Sequence, residues 1–236
     1  MKRKVLLLII AACLLGQVAS AQMYTGLEGL LHTPSAEMGT SESIRVGGHY
    51  LNRHFIPKGY SDMDAPVFYV AVTPYEWVEA SYMVTFWKES QSSYAPDRAF
   101  FLKVRPLKEG KWWPALVVGV QDPIGSAKGF YLTEDAPGFY SNLFLAATKH
   151  FHFLAGEWGF HLACRYYPNK GNSSWSGIVG GMTWRPDFYS PLRVTAEYYG
   201  SGVNLGIDAG LFGFLHLQLI LQDFKYLSGG ICVEIK

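Results

Sequence analysis

The chain has 236 residues, a formal charge of +1, and a composition that is 17 % charged, 49 % hydrophobic and 16 % aromatic. That balance, with no basic block, makes nucleic acid a poor partner, and the length allows one barrel or one to two ordinary domains. Beyond residue 21 the cysteines are Cys164 and Cys232, too few and too far apart for a disulfide scaffold or a zinc cluster.

Met1, Lys2, Arg3 and Lys4 precede an apolar run from Val5 to Leu15 and the small-residue site Ala19-Ser20-Ala21, the order of a secretory signal peptide over residues 1–21. The run falls short of the roughly 20 residues a transmembrane helix needs, and no later stretch stays apolar for as long. A rival lipoprotein site at Ile10-Ala11-Ala12-Cys13 would leave Leu14-Leu15-Gly16 and the Ala-Ser-Ala site unexplained.

Residues 22–42 form a leader rich in Gly, Thr, Pro and Ser, which excludes a long helix. Two readings stand open for its Leu27, Leu30 and Leu31: a plug tucked into the periplasmic mouth of a barrel, or part of a flexible tail.

From residue 43 to 236, apolar and polar residues alternate with period two in twelve runs, near 43–52, 66–73, 77–87, 99–107, 114–122, 141–151, 156–167, 176–185, 191–199, 202–211, 215–223 and 229–235. Leu192-Arg193-Val194-Thr195-Ala196-Glu197-Tyr198 is the clearest. Period two places alternate side chains on opposite faces of a strand, and an even strand number suits a bacterial barrel. The connections Arg53 to Ala65, Lys88 to Arg98 and Pro123 to Tyr140 are long, whereas Thr73-Pro74-Tyr75-Glu76, Phe153-Leu154-Ala155 and Phe212-Gly213-Phe214 are short. Long outer loops alternating with short periplasmic turns belong to transmembrane barrels. The expected fold is therefore all-β: a single antiparallel transmembrane β-barrel of about 12 strands behind a signal peptide. It would sit in the outer membrane of a Gram-negative bacterium, with both termini periplasmic and membrane lipid as its first partner. Trp77, Trp87, Trp112, Trp113, Trp158, Trp175 and Trp184 lie near strand ends, where an interfacial belt is expected. The run ending Glu234-Ile235-Lys236 lacks a terminal aromatic residue, which leaves its role as closing strand open.

Strand parity sends Arg45, His49, Glu79, Lys103, Arg105, Glu157, His161, Arg165, Arg193, Glu197, Asp208, His216 and Glu234 toward the lumen. Two readings of this set stand open: a self-neutralising network filling a narrow interior, or a polar lining for a solute or glycan path. Parity also turns Cys164 outward and Cys232 inward, so a disulfide between them is implausible. His150 and His152 share a strand face without an evident third metal ligand nearby, and read as two histidines at the periplasmic edge. Ser173, Ser174 and Ser176 sit in a Gly-Asn-Ser-Ser-Trp turn, and Gly125-Ser126-Ala127-Lys128-Gly129 lacks the context of a phosphate loop. No catalytic residue, cofactor or metal is expected, and the chain is not read as an enzyme.

The leader sequence Gly26-Leu27-Glu28-Gly29-Leu30-Leu31-His32-Thr33-Pro34-Ser35-Ala36-Glu37-Met38 resembles the opening of the YjbH family, Gly-Leu-Ile followed by Thr-Pro-Thr/Ser-Ala-x-Met. Val118-Gly119-Val120-Gln121-Asp122-Pro123-Ile124-Gly125-Ser126 and Tyr140-Ser141-Asn142-Leu143-Phe144-Leu145-Ala146-Ala147-Thr148-Lys149-His150-Phe151 are similar to two of its strands, with Ser126 where the family has threonine. Phe153-Leu154-Ala155-Gly156-Glu157-Trp158-Gly159 looks like the turn that follows. The resemblance covers residues 26 to about 167 and implies an outer-membrane barrel linked to exopolysaccharide or capsule production, with polysaccharide and other export components as partners. It would act as a narrow channel or a scaffold. Two other classes compete: a general porin-like or structural barrel, and a lipid-acting enzyme of the outer membrane.

Overall fold

The computed structural model describes residues 22–56, 63–88, 94–125, 129–130, 140–168 and 175–236. The expected signal peptide, Ser126 to Lys128, and Ser173 and Ser174 lie outside the described residues. The elements are β1 (Ser43–Leu51), β2 (Ala65–Tyr75), β3 (Val78–Lys88), β4 (Tyr94–Leu107), β5 (Ala115–Gln121), β6 (Ile124–Gly125), β7 (Gly129–Phe130), β8 (Asn142–His152), β9 (Gly156–Tyr166), β10 (Gly177–Pro186), β11 (Leu192–Tyr198), β12 (Val203–Leu211), β13 (Leu215–Gln222) and β14 (Tyr226–Ile235). All except β6 and β7 join one closed antiparallel barrel of twelve strands in chain order. Strands β6 and β7 pair as a separate two-stranded sheet within the expected long connection.

Closure comes from β1 against β14, with Ile44 opposite Ile235 and Tyr50 opposite Gly229. The last run is thus the closing strand, although no aromatic residue ends it. Closing the sheet removes the edges whose unpaired N–H and C=O groups would otherwise need partners. Two register slips, between Val72 and Tyr75 and between Val104 and Leu107, fall at Pro74 and Pro106, which cannot donate to a ladder. Strand β4 begins at Tyr94, inside the expected loop. There it is paired with β3 alone, since its contact with β5 starts only at Phe101. Pro96 is tolerated for that reason: the missing N–H has no neighbouring strand to meet on the far side.

The tight turns use left-handed backbone at Leu154 and Ala155, at Phe212 and Gly213, and at Asp223 and Phe224. Two central residues at positive φ make a hairpin turn whose twist matches that of its strands. The turns 76–77, 108–114, 153–155, 187–191 and 212–214 gather at the barrel end where β1 begins and β14 finishes. The longest connections, between β1 and β2, β5 and β8, and β9 and β10, leave from the other end, together with the short turns 199–202 and 223–225.

The alternating pattern appears as an inside-out distribution of polarity. Ile44, Val46, Val70, Val118, Leu145, Leu162, Ile207, Leu219 and Ile231 face outward and are exposed. Arg45, Glu79, Lys103, Arg193 and Asp208 are buried. Cys164 is exposed and Cys232 buried, both as free thiols. The tryptophans divide rather than forming one belt. Trp77, Trp112 and Trp113 are exposed at the turn end, while Trp87 is only 8 % exposed and, with Trp175, packs on the internal cluster of Tyr24, Leu31, Phe55, Phe101 and Tyr140. Trp87 shares inward parity with Met83 and Thr85, so its position in the strand decided its direction more than its closeness to the strand end did.

Candidate functional site

The barrel interior is occupied by the chain's own N-terminal segment, and the contacts between that segment and the wall form the candidate site. Residues 22–36 are buried. Isolated bridges Gln22 to Glu28 and Gly29 to Pro34 fold the segment on itself. At the first bend Gly26 has φ of +86°, and a Cβ there would lie 2.5 Å from Cδ2 of Tyr69, so both backbone and space require glycine. Leu27, Leu30 and Leu31 are fully buried. Leu31 packs over Gly206 in the middle of β12, where an added Cβ would be 2.6 Å from Leu31 Cδ2. Leu31 over Gly206 and Leu30 over Gly181, both mid-strand glycines, therefore sit deep within the lumen and not at its mouth.

At the second bend, where the Leu30 N–H donates to the Thr33 carbonyl at 3.1 Å, three successive backbone N–H groups point the same way. Those of Leu31, His32 and Thr33 donate to the Glu197 carboxylate at 3.1, 2.8 and 2.9 Å, and Asn204 Nδ2 adds a fourth donor at 2.7 Å. Converging peptide N–H groups form an anion-binding concavity, here filled by a side chain of β11.

Among the described residues, most buried charges meet an opposite charge or hydrogen-bonding backbone and amide groups. Arg45 bridges Glu28, at 2.7 Å, and Glu79. Lys103 reaches Glu79 at 2.9 Å and also donates to the Glu37 carbonyl at 2.7 Å. Arg193 contacts Glu37 at 3.0 Å and Asp208 at 3.3 Å, and donates to the Gly29 carbonyl at 2.9 Å. Gln218 donates to Asp208 and to the Gln22 carbonyl, and its carbonyl meets His49 at 2.7 Å. Toward the loop end Arg165 donates to the carbonyls of His32 and Tyr199. His216 lies 3.5 Å from Glu234. Such pairing matters because a buried charge without a partner is strongly disfavoured.

Arg105 and Glu157 lie at the turn-end rim instead of within this network. The slip at Arg105-Pro106 turns Arg105 toward the Glu76 carbonyl, and the Glu157 side chain is 46 % exposed while meeting Arg185 at 3.1 Å. Arg185 itself, absent from the sequence-derived set, pairs with Glu37 at 3.2 Å; its parity with Val179 and Thr183 was the available signal. The leader residues Glu28, His32 and Glu37 carried no period, so nothing local marked them.

His150 lies two residues from the turn end of β8, near the expected edge, but further candidate ligands stand beside it. Its Nε2 lies 3.3 Å from Glu37 Oε1 and its Nδ1 lies 2.7 Å from Glu109 Oε2. His161 approaches from β9, and Glu37, His150 and His161 each offer an atom within 4.8 Å of the others. His152, by contrast, is exposed and meets Asp187 at 2.8 Å. Burial alone would raise the Glu37 carboxyl; Arg185, the hydrogen bond with His150 and Arg193 outweigh it and hold the group well below the usual carboxylate range. A cavity of about 340 Å³, lined by Glu37, Arg105, Glu109, Thr148, His150 and Arg185, lies at this end. Ser176 accepts from the Tyr167 N–H at 2.9 Å, a hairpin clasp at the loop end.

A search of curated proteins returns no match. The model of the YjbH family, described as exopolysaccharide biosynthesis protein YbjH, matches residues 21–173, which takes in the whole internal segment and the wall from β1 to β9. With well over half of its length matched, this closed twelve-stranded barrel belongs to the YjbH family.

Proposed function

We propose that this protein is an outer-membrane barrel assisting the secretion or assembly of surface exopolysaccharide, acting without catalysis as a scaffold or as a narrow channel closed at rest by residues 22–42. The inverted polarity of the wall carries this reading. Outward residues are mostly aliphatic at mid-height, with Tyr82 and Phe160 among them, and exposed aromatics stand at both ends: Tyr75, Trp77, Phe153 and Phe214 at the turns, and Tyr50, Phe68, Tyr166 and Tyr198 toward the loops. Such a surface is unfavourable in water and suits hydrocarbon bounded by two interfaces.

An open porin is the weaker reading, because the interior is held by a segment bound through charged and backbone contacts from at least five strands. Passage of a solute would require that segment to move. Membership of the YjbH family supports the exopolysaccharide role; lipid of the outer leaflet or inner leaflet and other export components are its partners on this reading.

The test begins with washed outer membranes, comparing unboiled and boiled samples on a denaturing gel. A heat-dependent mobility shift is expected, followed by reduced surface polysaccharide on deletion of the gene. Recovery of the protein in the soluble periplasmic fraction without a shift would end the membrane reading, and unchanged polysaccharide in the deletion strain would end the export role.

A further inference from the structure

We propose that Glu37, His150 and His161 form a binding site for a divalent transition-metal ion of the zinc class, fastening the internal segment to the barrel wall. Nothing in the polysaccharide role requires this site, and it stands on separate observations.

The ligand set joins three parts of the chain: Glu37 from the internal segment, His150 from β8 and His161 from β9. One atom from each lies within 4.8 Å of the other two. The Glu37 Oε1 to His150 Nε2 distance of 3.3 Å is close to the edge of a tetrahedron with bonds of about 2.0–2.1 Å to zinc. The two imidazoles meet edge to face, with centroids 5.9 Å apart and planes at 80°. Gly159, directly opposite His150, makes this approach possible. A Cβ at Gly159 would stand 2.8 Å from His161 Nε2 and 3.0 Å from His150 Cδ2.

Groups around the ligands orient them. Glu109 holds His150 Nδ1 at 2.7 Å and accepts from the His150 backbone N–H at 2.9 Å, leaving Nε2 directed at Glu37. A carboxylate behind a ligating histidine fixes its tautomer and raises its basicity. The two ring nitrogens of His161 meet the hydroxyls of Thr148, at 3.0 Å, and Thr183, at 3.1 Å. For one nitrogen to take the ion, its threonine must swing its oxygen aside by rotation about χ1, while the other threonine keeps the ring in place; Thr148 Oγ1 also accepts from the Ala36 N–H at 2.9 Å.

Charge and access fit as well. Arg185 and Arg193 both contact Glu37, but Arg185 also holds Glu157 and Arg193 also holds Asp208. Each guanidinium therefore keeps a carboxylate when Glu37 turns to the metal. The cavity of about 340 Å³ lined by Glu37, Thr148 and His150 gives an entry path and space for water as a fourth ligand. Two imidazoles and one carboxylate favour zinc-like ions over calcium or magnesium, which prefer oxygen alone.

The experiment uses the folded full chain in detergent, stripped with a chelator and titrated with zinc chloride by calorimetry. One equivalent is expected. His150→Gln and His161→Gln, checked for the native gel mobility, each weaken binding by more than about 10-fold, and Glu109→Gln weakens it by roughly 10-fold or more through loss of the orienting carboxylate. Cobalt-loaded wild type provides a readout that needs no substitution: its paramagnetically shifted imidazole N–H resonances count the histidine ligands, and two are expected. Absence of zinc binding by folded wild type, binding unchanged in both histidine variants, or fewer than two shifted imidazoles would each overturn the site.

Discussion

Replacing Glu197 by glutamine tests how the internal segment is held. The carboxylate accepts from the backbone N–H groups of Leu31, His32 and Thr33 and from Asn204 Nδ2. Glutamine keeps one acceptor oxygen and sets an NH2 group where the other was, against donors that it cannot satisfy. Roughly two charge-assisted bonds are lost, each worth about 1.5–3 kcal/mol, so the bend at Leu30 to Thr33 is weakened by about 3–6 kcal/mol. At about 1.4 kcal/mol per tenfold change, local opening becomes about 10²- to 10⁴-fold more frequent. Hydrogen exchange at the amides of residues 31–33, measured on folded protein in detergent, reads this directly. The wall should keep the wild-type gel mobility, since the β11 ladder is untouched. Exchange rates at those three amides equal to wild type would refute the role of Glu197 in holding this bend.

Two other perturbations probe packing and pH. Gly206→Val drives new methyl groups into Leu31, whose Cδ2 would lie 2.6 Å from the first added atom; destabilisation of about 1–3 kcal/mol by overpacking is expected, with recovery in the Leu31→Ala double variant. Denaturation midpoints that show no recovery would place the strain elsewhere. Asp122, just beyond β5, is raised to about 7 by burial and by the nearby charge of Asp97. A carboxyl raised in the folded state contributes its stability below its unfolded pKa, about 3.9, and that contribution is lost as pH rises through about 7. The connection from Gln121 to Asn142 should thus be cleaved faster by protease at pH 8 than at pH 5, after correction for the protease's own pH response. Asp122→Asn should flatten the difference, and an unchanged pH profile in that variant would remove Asp122 as its source.

Period-two alternation alone determined the fold class, the twelve barrel strands and the face on which most charged residues lie, because a strand has only two faces and hydrocarbon or a packed interior selects strongly between them. It also separated Cys164 from Cys232. Boundaries were less visible where local chemistry and pairing disagree. Tyr94 to Arg98 looks like a loop, with its proline and two charges, yet pairs with β3 because no second neighbour tests Pro96. Parity also fails where a register slips, as at Arg105.

Partners were beyond what periodicity carries. It says that Arg45, Glu79 and Lys103 point inward, whereas barrel closure and register decide that they converge on Glu28 of the internal segment. The Thr33-Pro34-Ser35 stretch suited an ordered leader or a loose tail equally well from its composition. Only the tertiary structure placed its N–H groups on Glu197 and set Glu37 between His150 and His161, since residues more than a hundred positions apart meet only after every intervening strand has taken its place in the closed wall.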